Sequence, residues 1–321
     1  MQKLLYLFFI LLSLASCTKL AEQPKSQLIS SEFYQTKEDA LAAVNAVYAA
    51  LNPPGQSIYN SLFQIGVDIA SDDALPGPRA RNPDVRSLAV LSYATTNDRV
   101  SEIWKQHYDA INRANLSVDH IPAINMDTTL RARLVREAKF LRAVYYFNLV
   151  RLYGGVPLVL HETTEFTNEA LHVARATADE VYAQIISDLT DAENLPITYG
   201  ATDVGRATSG AASSLLSKVY LTQQQWQKAA DKSAQVINGA YGYDLFANFQ
   251  DVFNVATENG KEHIFSMQFK SNSGGRGNSM AQRSTPNNIP GILGDNADMP
   301  NAGVYNLYSA TDKRRDVTFY T

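Results

Sequence analysis

The stretch "EAKFLRAVYYFNLVRLYGGVPLVL", residues 137–160, decides the fold. A helix turns by about 100° per residue. At that pitch Leu130, Leu134, Ala138, Leu141, Tyr145, Leu149 and Leu152 line up as one stripe, and Phe140, Val144 and Phe147 form a second beside it. The spacing predicts a helix from Thr128 to Tyr153, apolar over more than half its circumference, which other elements must cover from two directions. Gly154-Gly155 stops it, and Val156-Pro157 sends the chain away extended.

Helical periodicity continues on both sides. Upstream, Thr36 and Asp39 have capping-box spacing, and Ala40, Leu41, Val44, Val47, Tyr48 and Leu51 follow at helical intervals until Asn52-Pro53-Pro54-Gly55. A second segment carries Ile103, Trp104, His107, Tyr108, Ile111, Asn115 and Val118 on one side. Downstream, Thr177 and Glu180 form another capping box before Val181, Ile185, Ile186 and Leu189. Residues 208–222 place Ala212, Leu215, Leu216 and Val219 inward beside the small Ala211, Ser213 and Ser214. After the turn Gln223 to Gln225, Trp226, Ala230, Ala234 and Ile237 make a further stripe, capped by Gly239. On these patterns Trp104 and Trp226 are both expected in the core. Helical pairs with tight turns and alanine-rich seams characterise tetratricopeptide-like units, although no strict repeat period is present.

The expected fold class is therefore mainly α, a TPR-like helical-pair scaffold with long irregular loops and a minor β element. The β element is "HIFSMQF", His263 to Phe269, where Phe265, Met267 and Phe269 alternate. One long irregular loop runs from Asp68 to Asp98; a loop of that length inside a compact domain is usually functional or mobile. A second begins at Lys270 and is rich in Gly, Asn and Ser.

The amino terminus has a separate logic. Lys3 precedes an apolar run from Leu4 to Leu12, too short to span a bilayer but suited to the core of an export signal. Leu14-Ala15-Ser16-Cys17 resembles the bacterial lipobox, in which cleavage before the cysteine is coupled to its acylation. Cys17 is the only cysteine of the 321 residues, so no internal disulfide can form and no C-x-x-C site exists. Lipid on Cys17 supplies more than the two signals a stable membrane anchor requires. Residues 1–16 are read as the signal peptide, 17–35 as a lipid-anchored tether, 36–240 as the helical domain and 241–321 as a loop-rich continuation of it. Cleavage removes Lys3 and leaves 27 basic against 32 acidic residues, a balance with no basic footprint for nucleic acid.

In this order the lipobox, "SEFYQTKEDALAAVNAVYAAL", "IWKQHYDAINRANLSVDHIP", "REAKFLRAVYYFNLVRLYGGVPLV", "GAASSLLSKVYLTQQQWQKAADKSAQVING" and "KEHIFSMQF" resemble the SusD/RagB family of outer-membrane nutrient-binding lipoproteins. The resemblance implies a lipid-anchored protein of the outer membrane, displayed at the cell surface, that captures oligosaccharide. It also implies a partner, a TonB-dependent SusC-like transporter to which the glycan is delivered. Members of the family are longer, so the fold is expected to continue past Thr321. After the cysteine, Lys19 precedes Glu22, a departure from the acidic run of surface-displayed members.

No enzymatic constellation competes strongly with binding. "HETTE" at His161 lacks the second histidine of a zinc helix, "SGGRGNS" lacks the lysine of a phosphate loop, "GDNADMPN" is out of register for an EF-hand, and no serine sits in G-x-S-x-G. No metal, cofactor or catalytic residue is therefore expected. A glycosidase needs only two carboxylates, and Asp72-Asp73 is the pair most suited to that rival reading. Peptide capture within the same family is the other alternative. Sugar recognition calls for exposed aromatic faces flanked by amides and charged groups. The loops offer Tyr93 with Asp72, Asp73, Arg79, Arg81 and Asn97, and then Arg276, Asn278, Asn287, Asn288 and Tyr305. Glu137, at the edge of the apolar stripe, is assigned a structural role: a buried carboxylate needs partners, and an arginine from another element is expected.

Overall fold

The computed structural model describes residues 33–165, 167–270 and 277–319. The signal peptide, Cys17, most of the tether and Arg276 lie outside the described residues. Six helices form the body: α1 (Lys37–Ala49), α2 (Asp98–His120), α3 (Thr128–Tyr153), α4 (Ala178–Ala192), α5 (Ser209–Thr222) and α6 (Trp226–Asn238). Each packs on its neighbour in the chain, and α3 also touches α1. The result is a helical-pair array of the TPR-like kind.

Local sequence explains the helix ends. Thr36 and Thr177 accept from Asp39 N and Glu180 N, and each acid side chain returns a bond to the cap backbone, so both capping boxes form. Asp127 caps α3 by accepting from Leu130 N at 2.8 Å. Gly154 closes that helix with φ +71°, a conformation that favours glycine.

Helix α3 is the centre of the core. Leu134, Ala138, Leu141, Tyr145 and Leu149 are fully buried, and Phe140, Val144 and Phe147 nearly so, covered by α1, α2 and α4. Burying a large apolar side chain is worth about 1.5–3 kcal/mol, so this stripe pair dominates the stability. The two buried tyrosines also satisfy their hydroxyls: Tyr145 donates to Val47 O at 3.1 Å and Tyr146 to Val159 O at 2.8 Å. Arg142 and Asp188, both almost completely buried, join α3 to α4 by two bonds of 2.8 Å, and Arg142 Nη1 also donates to Asn115 Oδ1 and Leu160 O. The exposed Leu152 ends the stripe at the surface.

Three expectations need correction. His263 to Phe269 forms no strand; Phe265 instead lays its edge on Phe140 at 5.0 Å, and Met267 packs on the same core. The alternation marks the face turned to the helices, while no neighbouring strand is paired with it among the described residues. Trp226 is 62 % exposed and Ile237 75 %, whereas Ala229 and Val236 are buried. The α5–α6 seam is made of small groups, with Ser217 Oγ 2.7 Å from Ser233 Oγ and donating to Ala229 O at 3.0 Å, which turns the bulky stripe of α6 outward. Trp104 meets the expectation better, packed between Tyr108 and Tyr153. Finally, the stretch Asp68 to Asp98 is not wholly irregular: it contains strand β1 (Ala74–Pro76) and a helix Pro83–Ala89 capped by Asn82.

Among the described residues, β1 pairs with a single partner, the antiparallel strand β2 (Asp298–Pro300). Asn82-Pro83-Asp84 is a legible helix start, with a capping side chain and proline at the first helical position. Phe33 and Tyr34, at the end of the polar leader, pack on α1, and Tyr34 stacks on His120 at 4.8 Å.

Candidate functional site

The two long loops meet. Register Ala74↔Pro300, Leu75↔Met299 and Pro76↔Asp298 joins segments more than 220 residues apart. Asn301 extends the ladder, donating its backbone N–H to Asp73 O at 2.8 Å and its side-chain amide to Asp72 O at 3.2 Å. Gly77 N donates to Ala297 O at 2.9 Å, and a Cβ on Gly77 would stand 2.0 Å from Asn296 O, so this crossing requires glycine.

Polar contacts from the short helical stretch 58–66 hold the segment that precedes β2. Gln64 donates to Met280 O and to Ser284 Oγ, and Asn60 Oδ1 accepts from both the backbone and the hydroxyl of Ser279. A small apolar cluster of Ile65, Ile69, Ala80, Val85 and Ala297 lies beneath. Burial raises the Asp298 carboxyl above the ordinary carboxylate range, against the pull of hydrogen bonds from Gln64 and Ser284. Burial also raises Asp68, and the nearby Asp298 charge adds to it.

The loop residues singled out by sequence fare differently. Asp72, Asp73, Arg79 and Arg81, which flank β1, are exposed, and Tyr93 is half exposed. Asn97 is corrected from ligand contact to helix cap. It is 2 % exposed, accepts from Arg99 N and Val100 N, and donates to Asp84 O and Ser87 Oγ, so nothing is left for a sugar. Asn278 accepts from Met280 N at 2.7 Å while remaining exposed. Asn287 and Asn288 stand in an exposed turn. Tyr305 is half buried, edge-on to Phe319 at 5.5 Å and under the Arg315 guanidinium.

Sequence reasoning missed two contributors, Arg99 and Arg283. With Arg79, Arg81, Gln56 and Asp295 they line a cleft of about 190 Å³ beside the ribbon. Neither stands out in sequence, because one lies in the first turn of α2 and the other in the short helix Met280–Ser284. A larger groove of about 520 Å³ runs along α2, but there Asp98, Glu102 and Asp109 offset Arg99, Lys105 and Arg113. Among the described residues no group of three or more His, Cys, Asp or Glu side chains is placed to hold a metal. The near neighbours of "HETTE" pair off instead, His161 with Asp119 and His120 with Glu162.

The SusD-like family profile described as "Starch-binding associating with outer membrane" matches residues 20–221. The chain belongs to this SusD-like family. It is 29 % identical to SusD-like protein P2 of Formosa agariphila over 97 % of its own length and 63 % of that protein's. It is 27 % identical to the starch-binding protein SusD of Bacteroides thetaiotaomicron, over 57 % of this chain and 33 % of the relative. Among solved structures, a laminarin-binding SusD-like protein superposes with a TM-score of 0.74 at 26 % identity, over 88 % of this chain and 66 % of that one. The chain thus spans less than two thirds of the curated relatives it matches. The likeness places the TPR-like array in a SusD-like frame.

Proposed function

We propose that this SusD-like chain is a non-enzymatic lipoprotein that binds oligosaccharide at the outer membrane and passes it to a TonB-dependent SusC-like transporter. Lipid on Cys17 would moor it at the cell surface. The observation that carries the reading is the loop face itself. Two distant segments are brought together by backbone bonds, and they present exposed aromatic, acidic and amide groups on a rigid helical body. Binding groups held by a rigid scaffold suit capture of a hydroxyl-rich ligand. The laminarin-binding relative supports glycan over peptide.

Calorimetry with laminari-, malto- and other neutral oligosaccharides, beside a peptide library, tests this reading, with a reducing-end assay run on the same samples. Saturable glycan binding without release of reducing ends is expected. Turnover that disappears on changing Asp72 or Asp73 would establish the glycosidase instead, and binding confined to peptides would establish the other family alternative.

A further inference from the structure

The cleft beside the ribbon carries four guanidinium groups and one carboxylate. Arg79 and Arg81 flank Ala80, whose burial in the small apolar cluster fixes the segment; among the described residues neither arginine side chain has a hydrogen-bond or ion-pair partner. Arg99 reaches Gln56 through Nη1, but its Nε–H is buried without an acceptor among the described residues. Arg283 stands in the same condition: its Nε–H is buried and unpartnered among the described residues, and Asp295 lies 3.7 Å from Nη1. Leaving a buried donor unmade is unfavourable, and bringing four like charges to one small cleft adds repulsion. An anion relieves both at once, because guanidinium forks match planar or tetrahedral oxyanions with paired, charge-assisted bonds.

Two further observations narrow the anion. The chain as a whole is acidic, with a formal net charge of −4, which disfavours a polyanion such as nucleic acid. A cleft of about 190 Å³ is smaller than a whole ligand pocket and of a size for one substituent. Its lining includes Arg79 and Arg81, which follow strand β1 of the ribbon within a few residues.

We propose that this cleft is a subsite for the acidic substituent, carboxylate or sulfate ester, of an anionic oligosaccharide, and that it selects acidic over neutral glycans. The inference rests on the glycan-binding reading above. Arg99 and Arg283 form the floor and Arg79 and Arg81 the mouth, so the neutral part of the sugar chain remains on the loop face outside.

Calorimetry on the full chain with three hexasaccharides of matched length separates the possibilities: a neutral laminarihexaose, a hexauronate and a sulfated galactan hexamer. One acidic hexamer is expected to bind at least tenfold more tightly than the neutral one, and raising the salt from low to moderate ionic strength should erode that advantage. Whichever acidic hexamer wins identifies the substituent. The variant Arg79→Gln/Arg81→Gln changes two exposed side chains; it should keep the parent melting temperature and lose the acidic preference. Equal affinity for neutral and acidic hexamers, or a preference that survives in the variant, overturns the anionic subsite and leaves glycan binding standing. Absence of binding to all three overturns both.

Discussion

Arg206 Nη1 donates to Glu137 Oε2 at 2.8 Å, tying the connection before α5 to the middle of α3 across 69 residues of sequence. Glu137 is fully buried, Arg133 Nε adds an ion pair at 3.2 Å one turn earlier, and Asp203 bonds the other side of Arg206 at 2.6 Å. Burial raises the Glu137 carboxyl above the usual range, and the charge of Arg206 opposes that shift. The arrangement is a charged knot between helices, remote in sequence from the ribbon.

Removing one partner of a buried ion pair costs about 3–5 kcal/mol, because the other charge stays buried. Glu137→Gln should therefore lower the melting temperature by several degrees and leave oligosaccharide affinity unchanged. Lost affinity with unchanged melting would move Glu137 from the scaffold to the binding site.

His107 makes the stability pH-dependent. Its ring is buried between Phe63 and Tyr145, with Nδ1 2.6 Å from Ile103 O and Nε2 unpartnered among the described residues, and burial pushes it down to about 4. The unfolded chain binds this proton near the ordinary histidine value of about 6.5, so the unfolded state gains protons first as pH falls. The contribution is complete above that value and is lost on going down towards the folded one, about 3 kcal/mol by pH 4. Denaturant titrations across this window should show the loss, and His107→Phe should flatten that part of the profile. An unaltered slope in the variant would assign the pH dependence elsewhere.

At Gly77 the two loops pass too closely for any side chain. Gly77→Ala should pry β1 from β2 while sparing the helical core. Limited proteolysis is expected to cut within residues 277–300 faster than in the parent, with the main unfolding transition in place and glycan affinity reduced. Parental protease resistance would show that the ribbon can shift to accept a methyl group.

Tyr93 offers a half-exposed ring to the apolar face of a sugar. Tyr93→Ala is expected to weaken oligosaccharide binding about tenfold, or about 1.4 kcal/mol. Affinity equal to the parent would exclude the ring from the site.

Cys17→Ser should shift the exported protein from the membrane fraction to the soluble one. Mass spectrometry of the parent should find acyl chains on residue 17. Retention of the serine variant in the membrane would point to an anchor other than lipid.

The helical scaffold was largely legible because its determinants are local. Capping pairs such as Thr36/Asp39 and the twin stripes of α3 lie within a few turns of each other, where periodicity alone reports burial. The orientation of α6 was not, since periodicity reveals that a stripe exists but not which neighbour covers it; the Ser217–Ser233 contact decided that Trp226 faces out. The site was legible only as two separate loops. Nothing local to Ala74 or Pro300 announces their pairing, and the four arginines of the cleft come from three separate stretches of chain. Asn97 misled for a related reason: an asparagine before a helix serves equally as a cap or as a ligand contact, and only the acceptor geometry separates the two.

Most bonds that close the ribbon run from one main chain to another, and main-chain groups are the same whatever residue carries them. Outward-pointing side chains there can consequently mutate with little penalty to folding, Gly77 and Asn301 excepted. Gene copies diverging from such an ancestor would retain their architecture while exchanging the chemistry of the surface they present.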